Sequence, residues 1–244
     1  MNPDSTILVL PTYNEIENID RFIRAVRAST PSIHILIVDD NSPDGTGQAA
    51  DNLAAELGNM DVVHRTSERG LGSAYRTGFR HVLAQSFANV ITMDADFSHD
   101  PAIIPSFIRL LTEGADVVVG SRYCPGGSII NWPWYRTALS KWGNLYTRAI
   151  LKVVTTDCTT GYRGYKQSAL AKIEIENVSG EGYVFLSTII TRASEEHLNI
   201  VEIPICFANR ELGTSKMSWR IVCESMFLVT ATGLRKRIFR RQKG

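Results

Sequence analysis

Apolar runs and amphipathic stretches alternate along the first half of the chain. Ile7 to Leu10 is a continuous apolar run, and behind it Ile16, Ile19, Phe22, Ile23 and Val26 recur at helical spacing, with Asn14 placed to cap. The pattern predicts a strand followed by a helix. The unit repeats: Ile35 to Val38 precedes Gly45 to Leu57, Val62 and Val63 precede Ser73 to Gln85, and Val90 to Met93 precede Ile103 to Leu111, while Val117 to Val119 supplies a fifth strand. Continuous apolar strands separated by helices predict an α/β fold, a Rossmann-like and mainly parallel sheet with helices on both faces. Ligands of such sheets bind beyond the carboxyl ends of the strands.

The polar residues gather where that rule expects a site. The first run enters Pro11-Thr12-Tyr13-Asn14-Glu15, the second Asp39-Asp40-Asn41-Ser42-Pro43-Asp44-Gly45-Thr46, and the fourth Asp94-Ala95-Asp96. Alternate residues of an extended chain point to opposite sides, but at a strand end the backbone can turn both carboxylates toward one ligand. Hard cations such as Mg²⁺ or Mn²⁺ take oxygen ligands and commonly bridge one or two carboxylates to substrate phosphates. D-x-D alone is common in surface loops. Its place directly behind Val90 to Met93, and ahead of a helix opened by Pro101, gives it weight.

After Tyr123 the pattern changes. Gly126 and Gly127 open a loop through Trp132-Pro133-Trp134, and Tyr135, Leu139, Trp142, Tyr146 and Ile150 then form an apolar stripe beside Arg136, Lys141, Arg148 and Lys152. A basic, aromatic-bearing helix of this kind lies either in a bilayer interface or against the domain core. A further helix, Tyr183 to Glu196, and a strand, Ile200 to Ile205, precede the terminal segment. No internal repeat or low-complexity stretch is present.

With 244 residues, 44% hydrophobic and 21% charged, the chain suits one sizeable core. The parse is a catalytic domain over residues 1–220 and an amphipathic, basic, membrane-proximal segment over 221–244. Arg235, Lys236, Arg237, Arg240, Arg241 and Lys243 crowd the terminus; without those six, the remaining 20 basic residues face 25 acidic ones, a net charge of −5. A basic tail on an acidic body is oriented toward a polyanion, anionic lipid being one candidate. No apolar stretch reaches the roughly 20 residues that span a bilayer, and the amino terminus lacks the pattern of a signal peptide. The expectation is a cytoplasmic protein, peripherally attached to the cytoplasmic face of a membrane, with no nucleic-acid partner. Cys124, Cys158, Cys206 and Cys223 form no C-x-x-C pair and are read as free thiols.

Two nucleotide-using classes fail at the first turn. A dinucleotide-dependent dehydrogenase needs G-x-G-x-x-G there, and a sugar nucleotidyltransferase a glycine-rich basic loop; Pro11 to Glu15 is neither. Instead the segments around Pro11, Asp39 and Asp94, with Gly120-Ser121-Arg122-Tyr123, resemble the inverting GT-A glycosyltransferases. Adding Asn131-Trp132-Pro133, Thr159-Thr160-Gly161-Tyr162-Arg163 and Arg210 through Lys216, the chain resembles dolichyl and polyprenyl phosphate mannose synthases from residue 5 to about 220.

The resemblance implies a set of roles. Pro11, Tyr13 and Glu15 border the nucleotide, Val38 and Asp40 read base and ribose, and Asp39 either joins them or holds its turn. Asp94 and Ala95 contact ribose and diphosphate, while Asp96 binds the metal, Mg²⁺ or Mn²⁺. Where the family has Gln two residues after that Asp, this chain has Ser98, a weaker ligand that reaches a metal through water. Arg210 and Lys216 join the donor phosphates, and Arg122, Arg136 and Ser140 the acceptor phosphate. His99 is read as a structural hydrogen-bonding partner. The implied reaction moves mannose from GDP-mannose to a polyprenyl phosphate with inversion. The alternatives are a UDP-sugar donor such as UDP-glucose, or a non-enzymatic membrane-docking subunit. A small membrane-embedded partner is also implied.

Overall fold

The computed structural model describes residues 5–66, 70–178, 180–209 and 226–234. A seven-stranded sheet runs in the order β3-β2-β1-β4-β7-β5-β8. β1 (Thr6–Thr12) lies between β2 (His34–Asp39) and β4 (Asn89–Thr92), parallel to both, and β3 (Met60–His64) continues the parallel half. β5 (Val117–Ser121) pairs in parallel with β8 (Ile200–Pro204). β6 (Ser128–Ile129) and β9 (Cys206–Phe207) form a small separate ladder that ties the loop after β5 to the chain after β8.

β1 shows why the sheet is central. Ile7, Leu8, Val9 and Leu10 are all fully buried, Ile7 and Val9 in one core and Leu8 and Leu10 in the other. Alternation along a strand sends successive side chains to opposite faces, and each fully buried side chain of this size contributes about 1.5–3 kcal/mol. The first core is closed by α3 (Leu71–Leu83), α6 (Gln167–Ile173) and α7 (Gly182–Glu195), the second by α1 (Ile19–Ser29), α2 (Thr46–Leu57) and α4 (Ile104–Thr112). α3 crosses β1 at Gly78, where an added Cβ would lie 2.5 Å from Val9 Cγ1.

Several expectations need correction. α1 begins at Ile19, not near Ile16, and Asn14 does not cap it: Asn14 adopts φ 56° and its N–H donates to Ser42 Oγ, while Ile16 is exposed. Pro101–Ile103 forms a 3-10 turn ahead of α4, capped by the Asp100 side chain, which accepts from Ala102 N at 2.8 Å. β7 (Arg163–Lys166) was not foreseen; it runs antiparallel between β4 and β5, so the sheet is mixed. Its sequence, Arg-Gly-Tyr-Lys, has no apolar run, yet Arg163 is fully buried and donates to Leu186 O at 2.6 Å and Cys158 O at 2.8 Å.

α5 (Trp134–Leu151) divides its apolar stripe: Tyr146 and Ile150 pack against the first core, while Tyr135 and Trp142 are exposed. Its buried residues are Asn144, Thr147 and Leu151, whereas Trp134, Tyr135, Trp142 and Leu145 are exposed. The helical residues 226–234 lie against its last turns, with Tyr146 Oη and Thr230 Oγ1 at 2.6 Å and Val229 in the first core. Among the described residues no helix is long and apolar enough to cross a membrane. Cys124, Cys158 and Cys206 are free. Cys223, the 220/221 boundary and the basic tail lie outside the described residues.

Candidate active site

A cleft of about 570 Å³ opens at the carboxyl ends of β1, β2, β4 and β5. Pro11, Tyr13, Glu15, Asp40, Asp94, Ala95, Asp96, Ser98, Arg122 and Arg136 all line it. Ser140 does not; it lines a smaller apolar groove that shares Arg122, Trp132, Thr159 and Tyr183 with the cleft. Val38 reaches neither, because its side chain is fully buried beneath α3, so any contact it makes with a base comes from its backbone. Arg210 and Lys216 lie outside the described residues.

One wall is acidic and built by side chains capping neighbouring turns. Asp39, 2% exposed, accepts from Thr12 Oγ1 at 3.1 Å, Ser42 N at 3.0 Å and Ser42 Oγ at 2.6 Å. Of its two expected roles, the structure gives it the turn. Glu15 N donates to Thr46 Oγ1 and Ile16 N to Asp44 Oδ2, so the loops after β1 and β2 are laced together. Asp40 pairs with Arg65 and accepts from Gly70 N at 3.0 Å. Arg65 also donates to Ser73 Oγ, so Asp40 both lines the cleft and pins the first turn of α3.

The D-x-D turn explains how two acids on one strand end face one space. Phe97 takes a left-handed φ of 59°, unusual for a bulky residue. Its ring is held edge-on against Phe22 at 5.2 Å, with Arg21 stacked at 5.1 Å. Asp96, 2% exposed, accepts from Ser98 N at 3.0 Å, while Asp94 is partly exposed above Gly161. His99 lies below, Nε2 3.8 Å from Asp94 Oδ2. Its expected structural hydrogen bond is missing on one side, for Nδ1 is buried without a partner among the described residues. Burial, the largest influence, lowers its pKa to about 4 despite the attraction of Asp96, so the ring is neutral near pH 7.

The opposite wall is basic and aromatic. Arg122, at the end of β5, is 7% exposed and forms a bidentate pair with the fully buried Asp157: Nε to Oδ2 at 2.6 Å and Nη2 to Oδ1 at 2.8 Å. Burial alone would lower the Arg122 pKa, but the charge of Asp157 outweighs it and the net shift is upward. Arg136 stacks on Trp132 at 3.9 Å and donates to Asn209 Oδ1 at 3.3 Å. Ser140 accepts from Tyr123 Oη at 2.6 Å. Asp157 and the stacking role of Trp132 escaped the sequence reading. Asp157 stands two residues before a recognised motif, but nothing in the chain order pairs it with Arg122, 35 positions away.

The acidic wall suits a divalent ion. Among the described residues no three His, Cys, Asp or Glu side chains gather into a closed metal cage. Asp94 and Asp96 instead offer hard oxygens at the edge of a cleft roomy enough for phosphates. That fits Mg²⁺ or Mn²⁺, which commonly take one or two carboxylates and complete their shell with substrate phosphates and water.

A mixed α/β sheet with a D-x-D turn at its carboxyl rim is the architecture of the GT-A glycosyltransferases. Residues 7–174 match Glycosyl transferase family 2, and the chain belongs to that family. It is 45% identical to a polyprenol monophosphomannose synthase of Mycolicibacterium smegmatis, over 96% of this chain and 89% of that one. It is 43% identical to an undecaprenyl-phosphate mannosyltransferase of Micrococcus luteus, over 95% of each. Identity to a dolichol-phosphate mannosyltransferase of Pyrococcus furiosus is 31%, over 89% of this chain and 60% of the relative. Among solved structures, a Pyrobaculum calidifontis mannosyltransferase in complex with GDP-Man and Mn²⁺ superposes with a TM-score of 0.64 at 16% identity, over 95% of this chain and 64% of that protein. The S. aureus TarS fragment in complex with UDP-GlcNAc gives 0.62 at 18%, over 92% and 65%. At those identities the two structures speak for the fold alone.

Proposed function

We propose that this chain transfers mannose from GDP-mannose to a polyprenyl monophosphate, inverting the anomeric centre. The observation that carries this reading is one cleft with carboxylates on one wall and two arginines on the other, continuous with an apolar groove. Two polyanions meeting there need opposite handling, and the names of the relatives give the same donor sugar and acceptor class.

In the reaction an acceptor phosphate oxygen forms a bond to the sugar C1 as the C1–O bond to the donor diphosphate breaks. The leaving group departs as GDP with the bonding electrons. A phosphate monoester has its second pKa near ~6 and is largely dianionic at neutral pH, so no proton has to be removed from it. Asp94 and Asp96 would hold the divalent ion, Mn²⁺ or Mg²⁺, which supplies Lewis-acid neutralisation of the diphosphate charge. Pro11, Tyr13, Glu15 and Asp40 border the nucleoside. Arg122 and Arg136 orient the acceptor phosphate, a task that suits the planar guanidinium fork. Ser140 and the groove wall guide the first lipid units, and Arg210 and Lys216 join the donor phosphates.

The exposed Trp134, Tyr135, Trp142, Leu145 and Phe227 lie on α5 and residues 226–234, the elements that also wall the groove. This apolar face meets the membrane surface, on the cytoplasmic side where nucleotide sugar is supplied. Purified protein, offered GDP-mannose or UDP-glucose with polyprenyl phosphate in vesicles and either metal, should make polyprenyl phosphate β-mannose. Exclusive use of UDP-glucose, or no lipid product with any pair, would refute the assignment. Vesicle flotation that fails without a small integral membrane partner would hand the apolar face to that partner.

A further inference from the structure

Arg122 has three sides, and the protein has used two. Nε and Nη2 donate to Asp157, Nη2 also donates to Thr159 Oγ1 at 2.7 Å, and among the described residues Nη1 meets no acceptor. Asp157 is itself held twice over. Its Oδ2 accepts from the Arg122 backbone N–H at 3.2 Å, and its Oδ1 from Thr159 N at 3.2 Å. Its own N–H donates to Glu202 on β8 at 3.1 Å, and Glu202 also accepts from Thr156 N at 2.9 Å and Thr156 Oγ1 at 2.7 Å. Charge-assisted hydrogen bonds thus fix the Asp157 backbone to β8 and its carboxylate to Arg122 at the cleft.

We infer that Asp157, anchored through Glu202, is a positioning residue that turns Arg122 into a one-ended donor and fixes where the acceptor phosphate sits. The inference deepens the proposed function and rests on its assignment of Arg122 to the acceptor. Three physical arguments support it. A free arginine side chain sheds much rotamer entropy on binding, whereas this one has already been ordered. A bidentate carboxylate sets the guanidinium plane as well as its position, so Nη1 offers its N–H groups in a fixed direction. The buried partner also balances the charge of Arg122, so the phosphate is selected there by hydrogen-bond direction. A lone surface ion pair would have none of these consequences.

The test is a double-mutant cycle on the full chain, with acceptor kcat/KM, GDP affinity and thermal stability measured for wild type, Asp157→Asn, Arg122→Ala and the double variant. Asn keeps the size of Asp but puts an amide N–H against the guanidinium. Asp157→Asn should lower acceptor kcat/KM about 10- to 100-fold, on the scale of a 1 Å misplacement, with GDP affinity within about twofold. In the Arg122→Ala background it should lower it no further, because coupled residues are not additive. Losses that multiply in that background, an equal loss of GDP affinity, or wild-type acceptor kinetics in Asp157→Asn would each overturn the inference. If Asp157→Asn does not fold, Glu202→Gln carries the same cycle with a smaller loss, again absent when Arg122 is Ala. Should wild type ignore polyprenyl phosphate, the assigned function fails separately. The positioning is then read from inorganic phosphate affinity in the same variants, with the same pattern expected and additive losses overturning it.

Discussion

Gly161→Ala tests whether the D-x-D turn is held in place from below. Gly161 lies under Asp94, and a Cβ there would sit 3.0 Å from Tyr75 Oη and 3.3 Å from Asp94 Oδ1. Ordinary contact begins near 3.4 Å, so one neighbour must give by a few tenths of an ångström. Tyr75 is 1% exposed and its ring lies between Phe79 at 5.9 Å and Phe185 at 6.1 Å, both nearly parallel to it. The Asp94 side chain is 36% exposed and has room on the cleft side. Tyr75 Oη is the nearer atom and its ring is wedged, so residue 161 should be pushed a few tenths of an ångström toward Asp94 and displace the carboxylate by a similar amount. Overpacking of this kind costs ~1–3 kcal/mol of stability. A displacement of that size should cost about fivefold in kcat, given ~10²-fold for 1 Å. The assay is steady-state transfer at saturating acceptor, with calorimetric GDP binding in Mn²⁺ and a thermal melt. Acceptor KM should hold while kcat and nucleotide affinity fall. A variant that melts lower yet keeps kcat and GDP affinity within twofold would refute the reasoning, because the donor would then be indifferent to where Asp94 stands.

Asp96→Asn should reduce transfer by ~10²-fold or more, the scale for losing one transition-state charge contact, and metal-dependent GDP binding measured by calorimetry should weaken with it. Arg136→Ala should raise acceptor KM about 10- to 100-fold and leave donor KM unchanged in steady-state kinetics; Arg136→Lys should recover only part, since the stack on Trp132 needs a planar cation. Replacing Trp134, Leu145 and Phe227 together by Ser should reduce flotation with anionic vesicles without lowering the melting temperature, because all three side chains are largely outside the core. Asp157 is held below the ordinary carboxylate range: burial pushes it up, but Arg122 pulls it down further. A depressed carboxylate stabilises the fold above its unfolded pKa and loses that contribution as pH falls through the folded value. Acid unfolding followed by circular dichroism should therefore show a steeper loss below pH ~4 in wild type than in Asp157→Asn.

The two walls divide the electrostatic work in a way that one wall could not. Asp39 holds its turn and Asp40, which lines the cleft with Glu15, is paired with Arg65, while the Phe97 turn sets Asp94 and Asp96 at the cleft. On the far side the two arginines are supported differently, one by a buried carboxylate and one by a tryptophan face. Under the proposed function, a donor diphosphate carrying its own metal ion would be drawn to the first wall and a bare phosphate monoester to the second. Reversing the two ligands would put a metal against guanidinium and an unescorted anion against carboxylate. The charge layout would then orient the reaction before any base is recognised.

How much of this could be read from the chain depends on the range of the interaction. β1, β2, β4 and β5 were legible because burial on both faces leaves unbroken apolar runs, the edge strand β3 because of Val62 and Val63, and Asp94 and Asp96 because they follow one of those runs directly. β7 was not, since a strand of Arg163, Gly164, Tyr165 and Lys166 owes its place to neighbours on both sides and to carbonyls that satisfy a buried guanidinium. The stripe on α5 was visible but its direction was not: polar Asn144 turns inward because its amide accepts from Cys158 N at 2.7 Å and donates to Ser140 O at 3.0 Å. Val38, which the resemblance implies reads the base, shows a related limit: whether a side chain at a strand end faces the cleft or the core is decided by the helix overhead, here α3 at Gly78, and this side chain is buried. Local pattern thus locates a site, whereas the buried charges that aim its residues, Asp157 on Arg122 above all, are fixed by packing between segments that the chain order keeps apart.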